Sequence, residues 1–285
     1  MAIDSQISDH EDDTALADAV AYFRALQDRI VKAFEGFEAS ARAERSEWSK
    51  PESHRLKGGG MMRVLRGDVF EKAGVNFSHV WGEFSDKAKN QVPGAMESGG
   101  RFEASGISLV AHMANPYVPA VHMNLRIMRT NRTWFGGGAD LTPTFPFDED
   151  TQDFHAALKS ACDGYEPDIY AIYKAGCDEY FYLPHRNEPR GVGGIFFDEL
   201  NSGDIPRDFE FVKSVGEAFL SIYPVIVRRR RKTAFGEKER DAQLIKRGRY
   251  VEFNLVYDRG TKFGFATDAN PDAYLMSMPP VVKWP

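Results

Sequence analysis

Two cysteines in 285 residues, Cys162 and Cys177, are too few for a disulfide framework and leave no second pair for a zinc site, so both read as reduced thiols. No apolar run approaches the roughly 18 to 20 residues needed to cross a bilayer. The opening MAIDSQISDHEDDT has no basic segment followed by an apolar one, which argues against a secretory or transit peptide and makes the cytoplasm the expected location. Nucleotide-binding glycine motifs are also lacking. Gly136-Gly137-Gly138 has no Lys-Ser/Thr ending, and neither Gly58-Gly59-Gly60 nor the Gly191 to Gly194 stretch has the G-x-G-x-x-G spacing. Positive charge is in the minority, 36 Lys and Arg against 42 Asp and Glu for a net charge of -6. That balance disfavours a general polyanion binder but leaves room for a local basic pocket that takes a carboxylated ligand.

What is present is material for one large core: 42% of residues are hydrophobic, enough to exclude disorder for the bulk of the chain. Residues 1–13 read as a disordered acidic lead-in and 14–285 as a single domain. Leu16, Val20, Phe23, Leu26, Ile30, Phe34 and Phe37 recur at steps of three and four, the stripe of an amphipathic helix. The runs VNFSHVWGEF, GISLVAHM, AVHMNLRIMRT and RTWFGGGADLT read as successive strands. In VHMNLRIM, alternation puts His122, Asn124 and Arg126 on one face and Val121, Met123, Leu125 and Ile127 on the other. Helices are expected over 149–162, 167–182, 207–231 and 237–246, with GVGGIFFDEL as a strand among them. RGRYVEFNLVYDRGTKFGF is expected to be a hairpin turning at Asp258-Arg259-Gly260. Strands before and after a helical middle, without steady β-α alternation, predict an α+β fold: a large, mainly antiparallel sheet with helices on both faces.

Three groups of residues could carry chemistry. His112, His122, His155 and His185 show no metal-binding spacing, and each could serve proton transfer or simply bond locally. The run Arg228 to Lys232 lies at an expected helix end, where a solvated cluster opposes the dipole, and has no interleaved aromatics to stack on bases. Arg247, Arg249, Asp258, Arg259 and Lys262 combine cations with a carboxylate. They suit either ion pairing within the expected hairpin or carboxylate recognition by guanidinium forks.

Five strings in order, HMNLR (122–126), WFGGGADLTP (134–143), CDEYFYLPHRNEPRGVGGIFFDEL (177–200), KRGRYVEFNLVYDRGTKFG (246–264) and LMSMPP (275–280), resemble the oxygen-dependent coproporphyrinogen III oxidase family. The similarity runs from about Gly58 to Pro280. It implies a homodimer of subunits with a large antiparallel sheet flanked by helices. The implied reaction uses molecular oxygen, with no organic cofactor, to convert two propionates of coproporphyrinogen III into vinyl groups, giving protoporphyrinogen IX. By the same resemblance, Ser108, Asn124, Leu125, Arg126, Arg259, Asp268, Ala269 and Asn270 contact substrate. His122 is implied as a proton donor, and Asp140, Asp258 and Arg126 complete the catalytic set. His112, His122, His155 and His185 are implied as ligands of a possible divalent metal. One departure is visible: the loop after the expected hairpin, usually richer in glycine, reads Asp268-Ala269-Asn270. A non-catalytic tetrapyrrole-binding protein would need the cationic anchors but not the acid-base set, and a nucleic-acid binder would rely on Arg228 to Lys232.

Overall fold

The structure, a computed structural model, describes residues 2–90, 92–266 and 270–285, without the side chains of 2–12, 87, 88, 263 and 266. The chain begins with α1 (Ala2–Glu35) and then forms β1 (Glu44–Ser49), β2 (Leu56–Leu65) and β3 (Phe70–Glu83). The short α2 (Asp86–Lys89) precedes β4 (Arg101–Met113), β5 (Ala120–Arg129) and β6 (Thr133–Thr142). Two helices follow, α3 (Asp148–Asp163) and α4 (Ile169–Tyr180), then the two-residue strands β7 (Tyr182–Leu183) and β8 (Glu188–Pro189), and β9 (Gly193–Leu200). The chain finishes with α5 (Ile205–Arg230), α6 (Glu237–Val256), α7 (Arg259–Ala266) and α8 (Pro271–Tyr274). Seven strands make one antiparallel sheet in the order β1-β2-β3-β4-β5-β6-β9, so the expected α+β architecture is what is found.

Alternation sorts the sheet into two unlike faces. Val75 and Phe77, Ile107 and Leu109, Met123 and Leu125, Phe135, Ala139 and Ile195 join one core with α1, α3 and α5, whose Phe23, Leu26, Phe154, Val215 and Phe219 are fully buried. The opposite face carries the polar half of each strand. Register lines up Asn76, Ser108, Asn124, Gly138 and Phe196 as one row across five strands. The faces of β5 are those its sequence alternation predicts.

Two elements differ from expectation. The helix α1 reaches back to Ala2, through the segment expected to be irregular. No glycine or proline interrupts residues 2–35. The expected hairpin over 247–265 is instead the end of α6 and the whole of α7. The buried residues of α6 are Gln243, Arg247, Gly248, Tyr250, Phe253 and Asn254. Their spacing is helical, but half of them are polar, so hydrophobicity alone concealed the period while the β-rich run Tyr250 to Tyr257 mimicked a strand. Among the described residues, no helix is long and apolar enough to cross a membrane.

Candidate active site

A cleft of about 390 Å³ opens on the polar face of the sheet, between it and the carboxyl-terminal elements. Its floor includes Asn76, Ser108, His122, Asn124 and Arg126, and its far wall includes Tyr180, Tyr250, Asn254 and Asp258. The volume lies within the usual range of small-molecule sites. Asn76 Oδ1 and Asn124 Oδ1 are buried without hydrogen-bond partners, two acceptors unspent by the fold.

Beneath the cleft runs a chain of buried polar groups. Cross-strand register sets His122 opposite Asp140, and His122 Nδ1 donates to Asp140 Oδ1 at 2.9 Å. The Asn124 amide donates to His122 Nε2 at 3.2 Å, which leaves the ring proton on Nδ1 in the neutral tautomer. Arg190, in the loop between β8 and β9, places Nη2 2.7 and 2.8 Å from the two oxygens of Asp140. Arg190 and Asp140 are only 2% and 1% exposed, so each is the other's substitute for water. Arg190 Nη1 also donates to Asn254 Oδ1 at 3.2 Å, and Asn254 Nδ2 donates to Ser277 Oγ at 3.1 Å. Rings of Phe181, Tyr250 and Phe253 cover the guanidinium at 3.9 to 4.7 Å. Burial alone would raise the carboxyl pKa of Asp140, but the Arg190 charge and the His122 hydrogen bond hold it below the ordinary value.

A second polar group stands at the cleft's edge. Arg126 Nη2 donates to Asp198 Oδ1 at 2.7 Å, and Arg259 Nη1 lies 3.8 Å from Asp198 Oδ2. Glycine at 136 is what admits the first pair, since a Cβ there would lie 2.8 Å from Arg126 Nε and 2.9 Å from Asp198 Oδ1. Asp258 caps the start of α7: Oδ2 accepts from the Thr261 backbone N–H at 2.6 Å, and Oδ1 accepts from the Tyr180 hydroxyl at 3.0 Å. Burial, then the nearby Asp258 charge, pushes the Tyr180 hydroxyl pKa up, so it stays a donor.

The cleft thus gathers Ser108, His122, Asn124, Arg126, Asp258, Arg259 and Asn270, with Asp140 directly behind. Leu125 borders it too, but its side chain is fully buried in the opposite core, so the position can offer only backbone. Asn270 is partly committed, its Oδ1 capping α8 through the Asp272 N–H at 3.0 Å. Asp268 and Ala269 lie outside the described residues. The four histidines considered as metal ligands do not converge. His112 Nε2 bonds the Ser277 carbonyl, His155 lies between the Tyr170 hydroxyl and the Val192 carbonyl, and His185 lies between Glu252 and Tyr257. Among the described residues, no group of three or more His, Cys, Asp or Glu side chains could hold a metal ion. In the basic run, Arg229 and Arg230 are paired with Glu149, Asp150 and Asp153, and Arg231 packs over Phe37. Arg190, Asn254, Tyr180 and Asp198 were not foreseen. Arg190 stands in the PHRNEPRGVGG string, where a lone arginine before a glycine-rich strand start was the available signal.

Arg190→Met keeps side-chain length but leaves the Asp140 charge buried without its arginine, and is expected to cost about 3–5 kcal/mol in urea unfolding at neutral pH. The acid limb should shift as well. Because Asp140 is held low when folded, its contribution is complete above the unfolded value of about 3.9 and disappears as pH falls through the folded value. Wild-type acid unfolding should therefore steepen below about pH 4, and the variant should lack that component. A variant within about 1 kcal/mol of wild type would show that the fold does not depend on the pair.

Comparison with known proteins gives this cleft its context. Residues 18–285 match the family model described as coproporphyrinogen III oxidase. The oxygen-dependent coproporphyrinogen-III oxidase of Rickettsia bellii strain OSU 85-389 is 52% identical over 273 residues, covering 93% of this chain and 96% of that protein. Those of Rickettsia akari and Rickettsia africae are 51% and 50% identical over 272 and 273 residues, covering 92% and 93% of this chain and 96% of each relative. By the family model over residues 18–285 and by identity at this level over nearly the whole chain, the chain belongs to the coproporphyrinogen III oxidase family.

Proposed function

We propose that this protein oxidatively decarboxylates two propionate side chains of coproporphyrinogen III to vinyl groups, with molecular oxygen as oxidant, giving protoporphyrinogen IX in haem biosynthesis. The observation that carries this reading is identity at about half of all positions, over 93% of the chain, with a relative bearing that activity in its name. Chemical fit supports it. A porphyrinogen presents pyrrole N–H donors inside and carboxylates outside. The cleft offers the unspent acceptors Asn76 Oδ1 and Asn124 Oδ1 on its floor and the cations Arg126 and Arg259 beside them. A propionate displaces Asp198 from Arg126 by supplying the same planar carboxylate, so the arginine exchanges one partner for another of equal charge.

In each half-reaction a hydride equivalent leaves the propionate carbon next to the pyrrole and reduces oxygen by two electrons. The bond from the other side-chain carbon to the carboxylate then breaks, carbon dioxide departs, and the released pair forms the vinyl double bond. Written from carboxylate and oxygen to carbon dioxide and hydrogen peroxide, the balance takes up one proton per vinyl group. His122, oriented by Asp140 and bordering the cleft, is the group we assign to proton handling, a role typically worth about 10² to 10⁴ in rate. Asp258 and Arg259 hold the macrocycle's reacting side. Positioning in the cleft supplies much of the remaining barrier reduction, about 7 to 11 kcal/mol in favourable cases.

The enzyme works as a homodimer in the cytoplasm in this reading. Exposed Leu255, Val256, Phe265 and Trp284 in the carboxyl-terminal part support self-association. Sedimentation at micromolar concentration is expected to give twice the 32.1 kDa chain mass, and a monomer at all concentrations would end the dimer reading.

Purified protein with coproporphyrinogen III in air should release carbon dioxide and form protoporphyrinogen IX. Turnover should persist with chelator and stop without oxygen; binding without turnover would instead indicate a carrier of tetrapyrroles. Arg126→Ala should lower kcat/KM by about 10- to 150-fold, the value of a charge-assisted pair, mainly through KM. Unchanged kinetics would remove Arg126 as the propionate anchor.

A further inference from the structure

The polar face of the sheet continues past the cleft into a second, much smaller chamber of about 20 Å³. His112 of β4, Thr142 of β6, Lys246 and Tyr250 of α6 line it, with Thr144 beside them. Thr142 lies two residues beyond Asp140 on the same face of β6. His112 Nδ1, the Thr142 hydroxyl and the Tyr250 hydroxyl have no hydrogen-bond partner, although these residues are only 2%, 5% and 2% exposed. Asn254 lies near the Tyr250 hydroxyl without meeting hydrogen-bond geometry. A buried polar atom left without a partner is costly, so each of the three calls for one.

The chemistry of these atoms selects the occupant. His112 Nε2 is 2.8 Å from the Ser277 carbonyl, which can only accept, so the ring proton is on Nε2. In the neutral ring that leaves the buried Nδ1 a bare acceptor. An anion has no proton to give it. The two hydroxyls can donate or accept, and the space suits a single water, which needs about 10–15 Å³ on this measure and two to four polar partners. Of the other polar groups around the chamber, Gln243 bonds the Met113 carbonyl and Arg240, and Arg247 bonds Glu71 and the Met113 carbonyl, while Lys246 and Thr144 complete the lining.

Tyr250 lines both the chamber and the substrate cleft, while Thr144 and Lys246, both half-buried, are among the chamber's more exposed lining residues. We propose that the chamber holds one ordered water, and that this water, with the Thr142 and Tyr250 hydroxyls, is the inlet through which a proton reaches the cleft. The inlet rests on the reaction proposed above, whose balance takes up one proton for each vinyl group formed. The bound water rests only on the chamber. Each hydroxyl passes a proton by accepting on one side and donating on the other, so no charge stays in the wall.

A high-resolution crystal structure of the full chain is expected to show a water within hydrogen-bond distance of His112 Nδ1 and Thr142 Oγ1, and a dry chamber would overturn the proposal. The inlet is tested by steady-state kinetics in light and heavy water. Thr142→Val, nearly isosteric and remote from the cleft lining, should lower kcat at least about 10-fold with KM within about twofold, and should enlarge the solvent isotope effect. Thr142→Ser, which keeps the hydroxyl, should restore kcat to near wild type. Wild-type kcat and isotope effect in Thr142→Val, or an equal loss in Thr142→Ser, would overturn the inlet, the latter by exposing a packing defect. Should Thr142→Val fail to fold, Tyr250→Phe carries the same expectation and keeps the ring against Arg190. If wild-type protein bound substrate without turning it over, the reaction and the inlet would fall together, while the density in the chamber would still decide the water.

Discussion

The buried ion pair between Asp140 and Arg190 is the constraint on which the site depends. Removing both charges from water is expensive, and mutual attraction offsets it only when the remaining hydrogen-bonding groups are also used. Most of them are used here: Asp140 takes His122 as a second partner and Arg190 gives its other amino group to Asn254, while Arg190 Nε is left buried without a partner. One pair therefore joins three parts of the chain, strand β6, the loop entering β9, and α6. Asn254 passes the connection on to Ser277, so the carboxyl-terminal wall of the cleft is held to its floor by the same chain. Aromatic rings around the guanidinium keep water from weakening it.

Strand alternation makes this arrangement possible. The sheet spends its apolar side chains on one face, against α1, α3 and α5, and keeps histidine, asparagine, serine and arginine for the other. Gly136 and Gly138 serve the polar face. At 136, absence of a Cβ gives Arg126 and Asp198 room to meet. At 138, φ is +156° and a Cβ would lie 2.2 Å from the Ile195 carbonyl, so the close approach of β6 and β9 depends on glycine there. Glu199, next to Asp198, carries a left-handed φ of 54° without being glycine. That conformation is unfavourable for a residue that carries a Cβ and persists because its surroundings fix it.

How much of this was legible follows from which period each segment displayed. The α1 stripe and the β5 alternation were readable because apolar residues marked the buried side and polar residues the other. In α6 the code fails. This helix packs its buried side partly against the functional layer, so Gln243, Arg247 and Asn254 stand where leucines would otherwise announce a helix. The candidate residues Ser108, His122, Asn124, Arg126 and Asp258 do meet in one cleft, because three of them share one strand face and Ser108 pairs with Asn124. The partners that organise them come from far along the chain. Asp198 is 72 residues from Arg126, and Arg190 is 50 residues from Asp140, and no local pattern encodes such pairings. The same limit explains the histidines: His112, His155 and His185 share a residue type, but the fold sends each to a different carbonyl, hydroxyl or carboxylate.

The two carboxylates of the site are unlike in what surrounds them, and that difference divides their work in the proposed reaction. Asp140 is dry, held by a full positive charge and kept below its ordinary pKa. A carboxylate so stabilised is a poor proton acceptor; what it does well is fix the proton on His122 Nδ1 and stabilise the imidazolium should Nε2 gain a proton. Asp258 takes a hydroxyl and a backbone N–H, each a neutral donor, and borders the cleft at the junction of α6 and α7. Its negative charge is therefore better placed to meet pyrrole N–H groups than one already neutralised by arginine. Such a division needs only the positions that the sheet register and the α6–α7 junction impose, and in the proposed reaction it lets one cleft hold an electron-rich macrocycle, orient its carboxylates and supply a proton.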